Sequence, residues 1–425
     1  MNTRLSILKL AVRSAWSRRG TLGLMLASIM LSTALLLAIE RVRVDTRQSF
    51  RQSVAGVDLV VGARTGATQL MLHAVFHSGS GALPLRWDSY QAIAMHAATD
   101  WALPLSLGDS HRNHAVLGTS ADYFRHFRHG DRQPLRFREG RPFDKLFEAV
   151  LGSEVAERLG YANGQKIVLN HGLTDGGALA TGHDDKPFVV VGILAPTGTP
   201  VDRTIHVSLE SITALHLDWV AGTPMSGFHI PAAMVGKFDL TPKEISAVLV
   251  GLRQRTDVFR MQRFVNEFRG EALIAVLPGV ALDELWQAIG IMERTLLGVS
   301  ALVVLIGLCG LAATLLAGLN ERRRELAILR ALGAGPGQIF ALLMIEGMLV
   351  TTAGAVLGAL LVSFSGALAA PWLLSAFGIV LNPGLPSGNE FALLAGVVTT
   401  GLLASLIPGW RAWRMSLADG LTPRA

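Results

Sequence analysis

Residues 295–319 read TLLGVSALVVLIGLCGLAATLLAGL, 25 residues without a charge, and residues 321–333 follow as ERRRELAILRALG. A helix needs about 20 apolar residues to cross a bilayer. The first stretch therefore reads as a membrane span, and the second as the charged connection that leaves it. Three more stretches are apolar enough. Thr21 to Ile39 and Phe391 to Gly409 carry no charge, and Ile339 to Ala370 carries only Glu346. The layout is one span, a long mixed segment from Glu40 to Arg294, then three spans on short connections.

The basic residues orient these spans. Arg4, Lys9, Arg13, Arg18 and Arg19 precede the first span without an acid. Arg322, Arg323, Arg324 and Arg330 sit between the second and third, Arg411, Arg414 and Arg424 follow the fourth, and Pro371 to Glu390 has no Lys or Arg. By the positive-inside rule both termini and the Arg322 connection are cytoplasmic, and the long segment lies outside. A net charge of +6 and a pI near 9.9 could suit a nucleic-acid partner. The long segment, however, holds 26 basic and 27 acidic residues, so the excess charge is confined to the cytoplasmic rim. Nucleic acid is excluded as a partner, and membrane lipid takes its place.

Half the residues are hydrophobic and the mean hydropathy is +0.42, which excludes a disordered chain. Cys309 is the single cysteine and excludes a disulfide framework. The first span is read as a retained anchor, because its apolar core exceeds the about 7–15 residues of a signal-peptide core and Leu37-Ala38-Ile39-Glu40 is no cleavage site. Ahead of it Leu5, Leu8, Val12 and Trp16 keep helical spacing, which suggests a short interfacial helix.

The expected fold class is membrane α-helical, four transmembrane helices in a 1+3 arrangement, with a large extracytoplasmic α+β domain between the first and second. The expected parts are an interfacial helix at 1–20, spans at 21–39, 295–319, 339–370 and 391–410, and an outer domain at 40–294. A cytoplasmic connection at 320–338, an outer loop at 371–390 and a cytoplasmic tail at 411–425 complete the chain.

Within the outer segment, Val57 to Val61, Lys166 to Leu169, Phe188 to Leu194 and Ile245 to Leu252 read as strands. Ser153 to Leu159 and Ser208 to Leu215 read as helices opened by a serine able to cap. Thr256 to Glu271 reads as a charged amphipathic helix, and Asp283 to Arg294 as a helix running straight into the second span. No G-x-S-x-G, H-E-x-x-H or Gly-rich phosphate loop occurs. Gly164-Gln165-Lys166 is followed by Ile167, where a P-loop needs a hydroxyl for magnesium. The chain is expected not to be an enzyme.

The connection after the second span, Glu321-Arg-Arg-Arg-Glu-Leu-Ala-Ile-Leu-Arg-Ala-Leu-Gly-Ala-Gly-Pro-Gly-Gln-Ile339, resembles the signature of FtsX-like permeases, the type VII ABC membrane subunits that include macrolide exporters and lipoprotein-release permeases. Glu346-Gly347 with Gly354 and Gly358 is similar to that family's third span. Ile407-Pro408 through Trp410-Arg411-Ala412 and Ser416 to Leu421 are similar to its C-terminal motif. Gly118-Thr-Ser-Ala-Asp-Tyr-Phe124, Glu139-Gly140-Arg141, Leu151 to Gly160 and Val191-Gly-Ile193 are similar to its periplasmic core domain.

The resemblance implies an ABC transporter permease of the mechanotransmission kind in the bacterial inner membrane. It implies a cytoplasmic ABC ATPase subunit that holds the ATP and magnesium, a second permease copy, identical or not, and substrates exported or extracted. Asn320 to Leu332 is amphipathic, with Leu326, Leu329 and Leu332 on one side, and Gly333 to Gly337 stops it; a helix of this kind can dock in a partner's groove. The resemblance makes it the coupling helix, with Glu321, Arg322, Arg323, Arg324, Glu325, Leu326, Leu329, Leu332 and Gly333 as the ATPase-coupling residues. A plain basic juxtamembrane loop would also explain the arginines.

Glu346 is the one ionisable residue inside a span and is flagged for function; a structural role beside the coupling helix and a proton or substrate role both stay open. All 12 histidines lie between His73 and His229. His111 with His114 and His126 with His129 are spaced i, i+3, and His73 with His77 i, i+4. On helices each pair would share a face, a metal-ligand arrangement, so zinc is the cofactor considered for the outer domain. Ordinary surface histidines are the competing reading. A different class of function also stays open: a membrane-anchored receptor or scaffold whose periplasmic domain binds a metal or a protein partner.

Overall fold

The computed structural model describes residues 19–77, 83–172, 183–220, 223–225, 230–321, 330–331, 333–377, 384 and 386–414. The chain divides into two compact units, a helical one from Met1–Thr46, Gly290–Leu373 and Leu381–Ala425, and an α+β domain from Arg47–Ile289 with Leu374–Val380.

Four helices are long and apolar enough to cross a membrane. They are α1 (Arg19–Gln52) and, after the domain elements α2 to α6 described below, α7 (Pro278–Glu321), α8 (Pro336–Phe377) and α9 (Gly388–Arg414). Each outruns the apolar stretch that announces it. Glu40 to Gln52 contains no Gly or Pro, so nothing stops α1 at the end of its apolar run. α7 is 44 residues long, about 66 Å at 1.5 Å per residue, and contains the expected Asp283 to Arg294 helix without a break. α8 continues through Pro371 to Phe377, so the connection expected at 371–390 begins as helix; membrane helices tolerate such prolines.

In the helical unit Met25, Ile29 and Leu36 of α1 pack with Leu308, Leu311 and Leu315 of α7, Ala355 of α8 and Val397 of α9. Lipid tails are as apolar as leucine, so close backbone approach does more here than apolar burial. Gly354 and Gly358 of α8 provide it. A Cβ at Gly354 would stand 2.8 Å from Ile29 Cγ2, and one at Gly358 would stand 2.8 Å from the Met30 carbonyl. The G-x-x-x-G of α8 is thus a seat for α1 within one chain.

The domain is built on an eleven-stranded mixed sheet among the described residues. Its strands are β1 (Leu59–Ala63), β2 (Thr99–His111), β3 (His114–Thr119), β4 (Phe137–Gly140), β5 (Glu148–Leu151), β6 (Lys166–Ile167), β7 (Asn170–His171), β8 (Phe188–Leu194), β9 (Ile205–Ser208), β10 (Ala247–Leu252) and β11 (Leu273–Val276). The main path runs β11-β1-β10-β2-β3-β9-β5-β8-β4, with β7 on β2 and β6 on β8. Two pairs, β3 with β9 and β5 with β8, are parallel. Both faces of the central strands are covered: Leu59 and Val61 join one core cluster and Val60 the other, and Val248 and Val250 alternate likewise with Leu249.

Helices α2 (Ala67–Ala74), α3 (Trp87–Ala94), α4 (Ser153–Leu159), α5 (Leu209–Leu215) and α6 (Val258–Asn266) cover the sheet. Ser208 caps α5, its side chain accepting from the Ser211 backbone N–H. In α4 the cap is Gly152 instead, Ser153 is the first helical residue, and Gly160 ends the helix at φ 66°. The expected helix Thr256 to Glu271 is shorter. A 3₁₀ turn at Arg255–Asp257 opens it and α6 ends at Asn266, whose Oδ1 accepts the Ala275 N–H of β11 at 2.9 Å. The expected strand Ile245 to Leu252 is split at Ser246, with Glu244–Ile245 pairing separately with Leu85–Arg86.

Candidate functional site

Two groups of residues carry the candidate chemistry: the ends of the membrane helices and the histidines of the domain. In the helical unit Arg41 of α1 and Glu390 of α9 form a buried bidentate pair, Nε to Oε1 at 2.9 Å and Nη2 to Oε2 at 3.2 Å. Glu390 also accepts from the Ser387 N–H at 2.7 Å, while Ser387 Oγ accepts from the Glu390 N–H at 3.3 Å. This is a capping box on α9, and Arg41 borrows its carboxylate to hold α1. Sequence reasoning left Arg41 in the outer domain at 40–294 and Glu390 in the outer loop at 371–390, and missed the pair. Ser387-x-x-Glu390 was the available signal for the cap, but no local signal pairs it with a residue 349 positions away.

Glu346 lies half-buried on α8 and lines a small pocket with Thr21, Leu22 and Met25 of α1 and Thr314, Leu315 and Gly318 of α7. It therefore sits at the end of α7 that leads into the arginine-rich connection. Of the expected coupling residues, Arg322, Arg323, Arg324, Glu325, Leu326, Leu329 and Leu332 lie outside the described residues. Glu321 closes α7, and Gly333 takes φ 98° with its N–H on the Arg330 carbonyl at 3.0 Å. That left-handed turn lies just before Pro336, which opens α8. The expected interfacial helix at 1–20 lies outside the described residues up to residue 18. Cys309 is exposed on α7.

The domain ends of α1 and α7 are tied to each other within the domain. Phe50 meets Trp286 edge-on at 5.4 Å, and the Arg47 guanidinium lies 5.2 Å from the Trp286 ring. Val54, Val57, Leu282 and Trp286 belong to the same core cluster as Val60 and Leu249. Beside them a cleft of about 350 Å³ is lined by Ser49, Phe50, His77, His114, Arg203 and Thr204, among others.

The histidines do not pair as helical spacing would have them. His111 ends β2 and His114 begins β3, directly opposite in the hairpin register. His111 contacts the Val168 carbonyl at 2.5 Å and the Tyr161 hydroxyl at 2.9 Å, and His114 the Arg203 carbonyl at 3.2 Å. His126 ends a one-turn helix, Tyr123–His126, and stacks on Trp101 at 5.6 Å; His129 lies on the two-residue strand Arg128–His129. Burial pulls the His114 and His129 pKa values down. Each ring has its own partner, and the four do not converge. His73 is buried within α2, whereas His77 follows it at φ 50° outside the helix. The shared helical face does not form, because turns interrupt all three pairs.

A different set converges. Asp109 on β2, His171 on β7, His183 just before β8 and His216 at the C-cap of α5 bring one ligand atom each to within 4.8 Å of one another. His171 Nδ1 is 3.1 Å from Asp109 Oδ1, His216 Nε2 is 3.4 Å from the same oxygen, and the two nitrogens are 3.2 Å apart. His216 Nδ1 donates to the Ile212 carbonyl at 3.0 Å. Trp219 closes one side, 4.3 Å from the His183 ring. Burial would raise the Asp109 pKa, yet hydrogen bonds from His171 and His216 hold it at about 2. For His216 burial is the largest single influence and lowers the pKa, but the hydrogen bond and charge of Asp109 together with the Ile212 hydrogen bond outweigh it and the net shift is upward, while burial brings His183 down to about 4. Buried Lys186 lies nearby, but its Nζ is paired with Asp218 at 2.6 Å and Asp185 at 3.3 Å. The four site residues are up to 107 positions apart in sequence, from 109 to 216, so spacing alone offered no signal.

Comparison with known proteins matches two stretches of the chain. Residues 22–253 match the family model of the MacB-like periplasmic core domain, and residues 297–417 that of the FtsX-like permease C-terminal region. The chain is 25% identical over 231 residues to an uncharacterised ABC transporter permease of Methanocaldococcus jannaschii, covering 53% of this chain and 51% of that protein. It is 22% identical over 294 residues to the lipoprotein-releasing system transmembrane protein LolC of Xylella fastidiosa, covering 65% of this chain and 64% of that one. The chain thus spans between about half and just under two thirds of these curated relatives. The periplasmic region of MacB from Actinobacillus actinomycetemcomitans aligns at 11% identity with a TM-score of 0.33, covering 56% of this chain and 95% of that one.

Proposed function

Since the chain belongs to the FtsX-like permease family, with a MacB-like periplasmic core domain, we propose that it is the membrane subunit of a mechanotransmission ABC transporter. A separate cytoplasmic ABC ATPase subunit binds and hydrolyses ATP. Two permease copies close in response, and the motion reaches the periplasmic domains to export or extract a substrate. The four helices cross the inner membrane with both termini in the cytoplasm. The chain itself makes and breaks no bonds.

The observation that carries this reading is α7. It is one helix from Pro278, inside the domain core, to Glu321, at the mouth of the arginine-rich connection. A helix is stiff along its axis, so a displacement at one end appears at the other without loss in a hinge. The segment after Glu321 is the coupling element, and Leu326 and Leu329 are its docking face.

The test is recovery of the ATPase subunit. Full-length protein purified from membranes should bring down a P-loop ATPase identified by mass spectrometry. Replacing Leu326 and Leu329 by Glu removes anchor side chains, and a loss of about 3 kcal/mol weakens association roughly a hundredfold. Membrane insertion should persist, because both residues lie outside the spans. Undiminished recovery and undiminished ATPase stimulation in the double variant would refute the assignment.

A further inference from the structure

We propose that Asp109, His171, His183 and His216 form a binding site for one divalent late first-row metal ion, Zn²⁺ by geometry and donor set, inside the periplasmic domain. The proposal does not rest on the transport reading.

Three ligand atoms already make a near-equilateral triangle. Asp109 Oδ1, His171 Nδ1 and His216 Nε2 are separated by 3.1, 3.4 and 3.2 Å. Tetrahedral zinc with bonds of about 2.0–2.1 Å holds its ligand atoms about 3.3–3.4 Å apart. The triangle is therefore close to one face of a zinc tetrahedron. His183 supplies the fourth vertex, its ligand nitrogen within 4.8 Å of the other three atoms, and a small inward movement completes the set.

The orientation of His216 points the same way. The Ile212 carbonyl can only accept, so His216 Nδ1 carries a proton and Nε2 is the atom turned toward Asp109 and His171, the position of a ligand atom. The Ile212 contact is also the carbonyl hydrogen bond that commonly orients a metal-bound imidazole. His183, 1% exposed, leaves its Nε2 without a hydrogen-bond partner among the described residues. Lys186 does not oppose a cation here, since Asp218 and Asp185 neutralise it.

The experiment uses the full chain in lipid nanodiscs, stripped by chelator and titrated with ZnCl₂ against a fluorescent zinc competitor. One zinc ion per chain should bind, and zinc K-edge absorption should report three imidazole nitrogens and one oxygen at about 2.0–2.1 Å. His183→Ala and His216→Ala should each weaken binding by at least the roughly 100-fold that marks the upper range for outer-shell losses. His126→Ala with His129→Ala should change it less than about twofold. Should a variant misfold, the absorption spectrum of the unaltered chain still decides. No stoichiometric binding tighter than about 10 μM, a first shell with fewer than three imidazoles, or unchanged affinity in both single variants would overturn the proposal.

Discussion

In the helical unit Leu24 of α1 is 75% exposed and Phe364 and Leu368 of α8 are 67% and 68% exposed, whereas in the domain Leu59, Val60 and Val61 are fully buried. Apolar side chains face outward in the first unit and inward in the second, as lipid and water respectively require. Buried polar groups differ in the same sense. Ser32, Thr351 and Ser405 return their hydroxyl hydrogen bonds to carbonyls four residues back on their own helices, at 2.7 to 2.8 Å. Such groups cancel locally and leave the helix surface free to pack. In the domain the buried polar groups join distant segments: Asp109 meets His171 and His216, and Lys186 meets Asp218. Among the described residues of the helical unit, Arg41–Glu390 departs from that pattern as a long-range buried ion pair.

That exception gives the largest expected effect. Arg41→Ala would strand the Glu390 carboxylate, 3% exposed, beneath its cap. Breaking a buried pair from one side costs about 3–5 kcal/mol, whereas replacing both partners by apolar residues restores much of the loss. Thermal unfolding of the purified chain should drop sharply for Arg41→Ala and recover in Arg41→Leu with Glu390→Leu. A single variant as stable as the parent would mean that the pair does not fasten α1 to α9.

A smaller effect separates the units by pH. Every histidine lies in the domain segment. His206 of β9 is fully buried against Tyr123 at 5.4 Å, and burial brings its pKa from 6.5 down to about 4. A folded-state pKa below the unfolded one means that protonation favours unfolding. The stability of the neutral ring is complete above pH 6.5 and falls as pH drops toward 4, by about 2 kcal/mol at pH 5. Intrinsic fluorescence melts should show an acid loss of at least this size, and His206→Phe, which keeps an aromatic ring beside Tyr123 and Phe124, should reduce it by about that amount and leave the share of His77 and His183. An equal acid sensitivity in that variant would place the proton uptake elsewhere.

What the sequence reveals follows from the range of the forces involved. The four membrane helices, Phe188–Leu194 and Ser153–Leu159 were legible because hydropathy, β-branching and Gly160 act over a few residues. Ends were less so: α1 runs on through Glu40 to Gln52 because nothing local opposes it, and α6 stops at Asn266 because β11 takes its side chain. The histidine pairs picked by spacing do not share a helical face for the same reason. His111 with His114 satisfies a local spacing rule but folds as a hairpin, whereas His171, His183 and His216 meet only because β7, β8 and α5 lie around Asp109 in the finished domain.

The central claim is that α7 carries ATP-driven motion into the periplasmic domain, and one distance measurement tests it directly. Met95, 80% exposed in the domain, can be spin-labelled as Met95→Cys with Cys309→Ser, and the distance between two copies measured by pulsed electron resonance with the ATPase subunit in nanodiscs. Trapping the ATP-bound state should shift that distribution by several ångströms. Gly290→Pro, which interrupts α7 at a cost of about 3 kcal/mol, should abolish the shift while ATP binding persists. An unchanged distribution in the parent on ATP trapping, or the same shift with α7 interrupted, would contradict transmission through this helix.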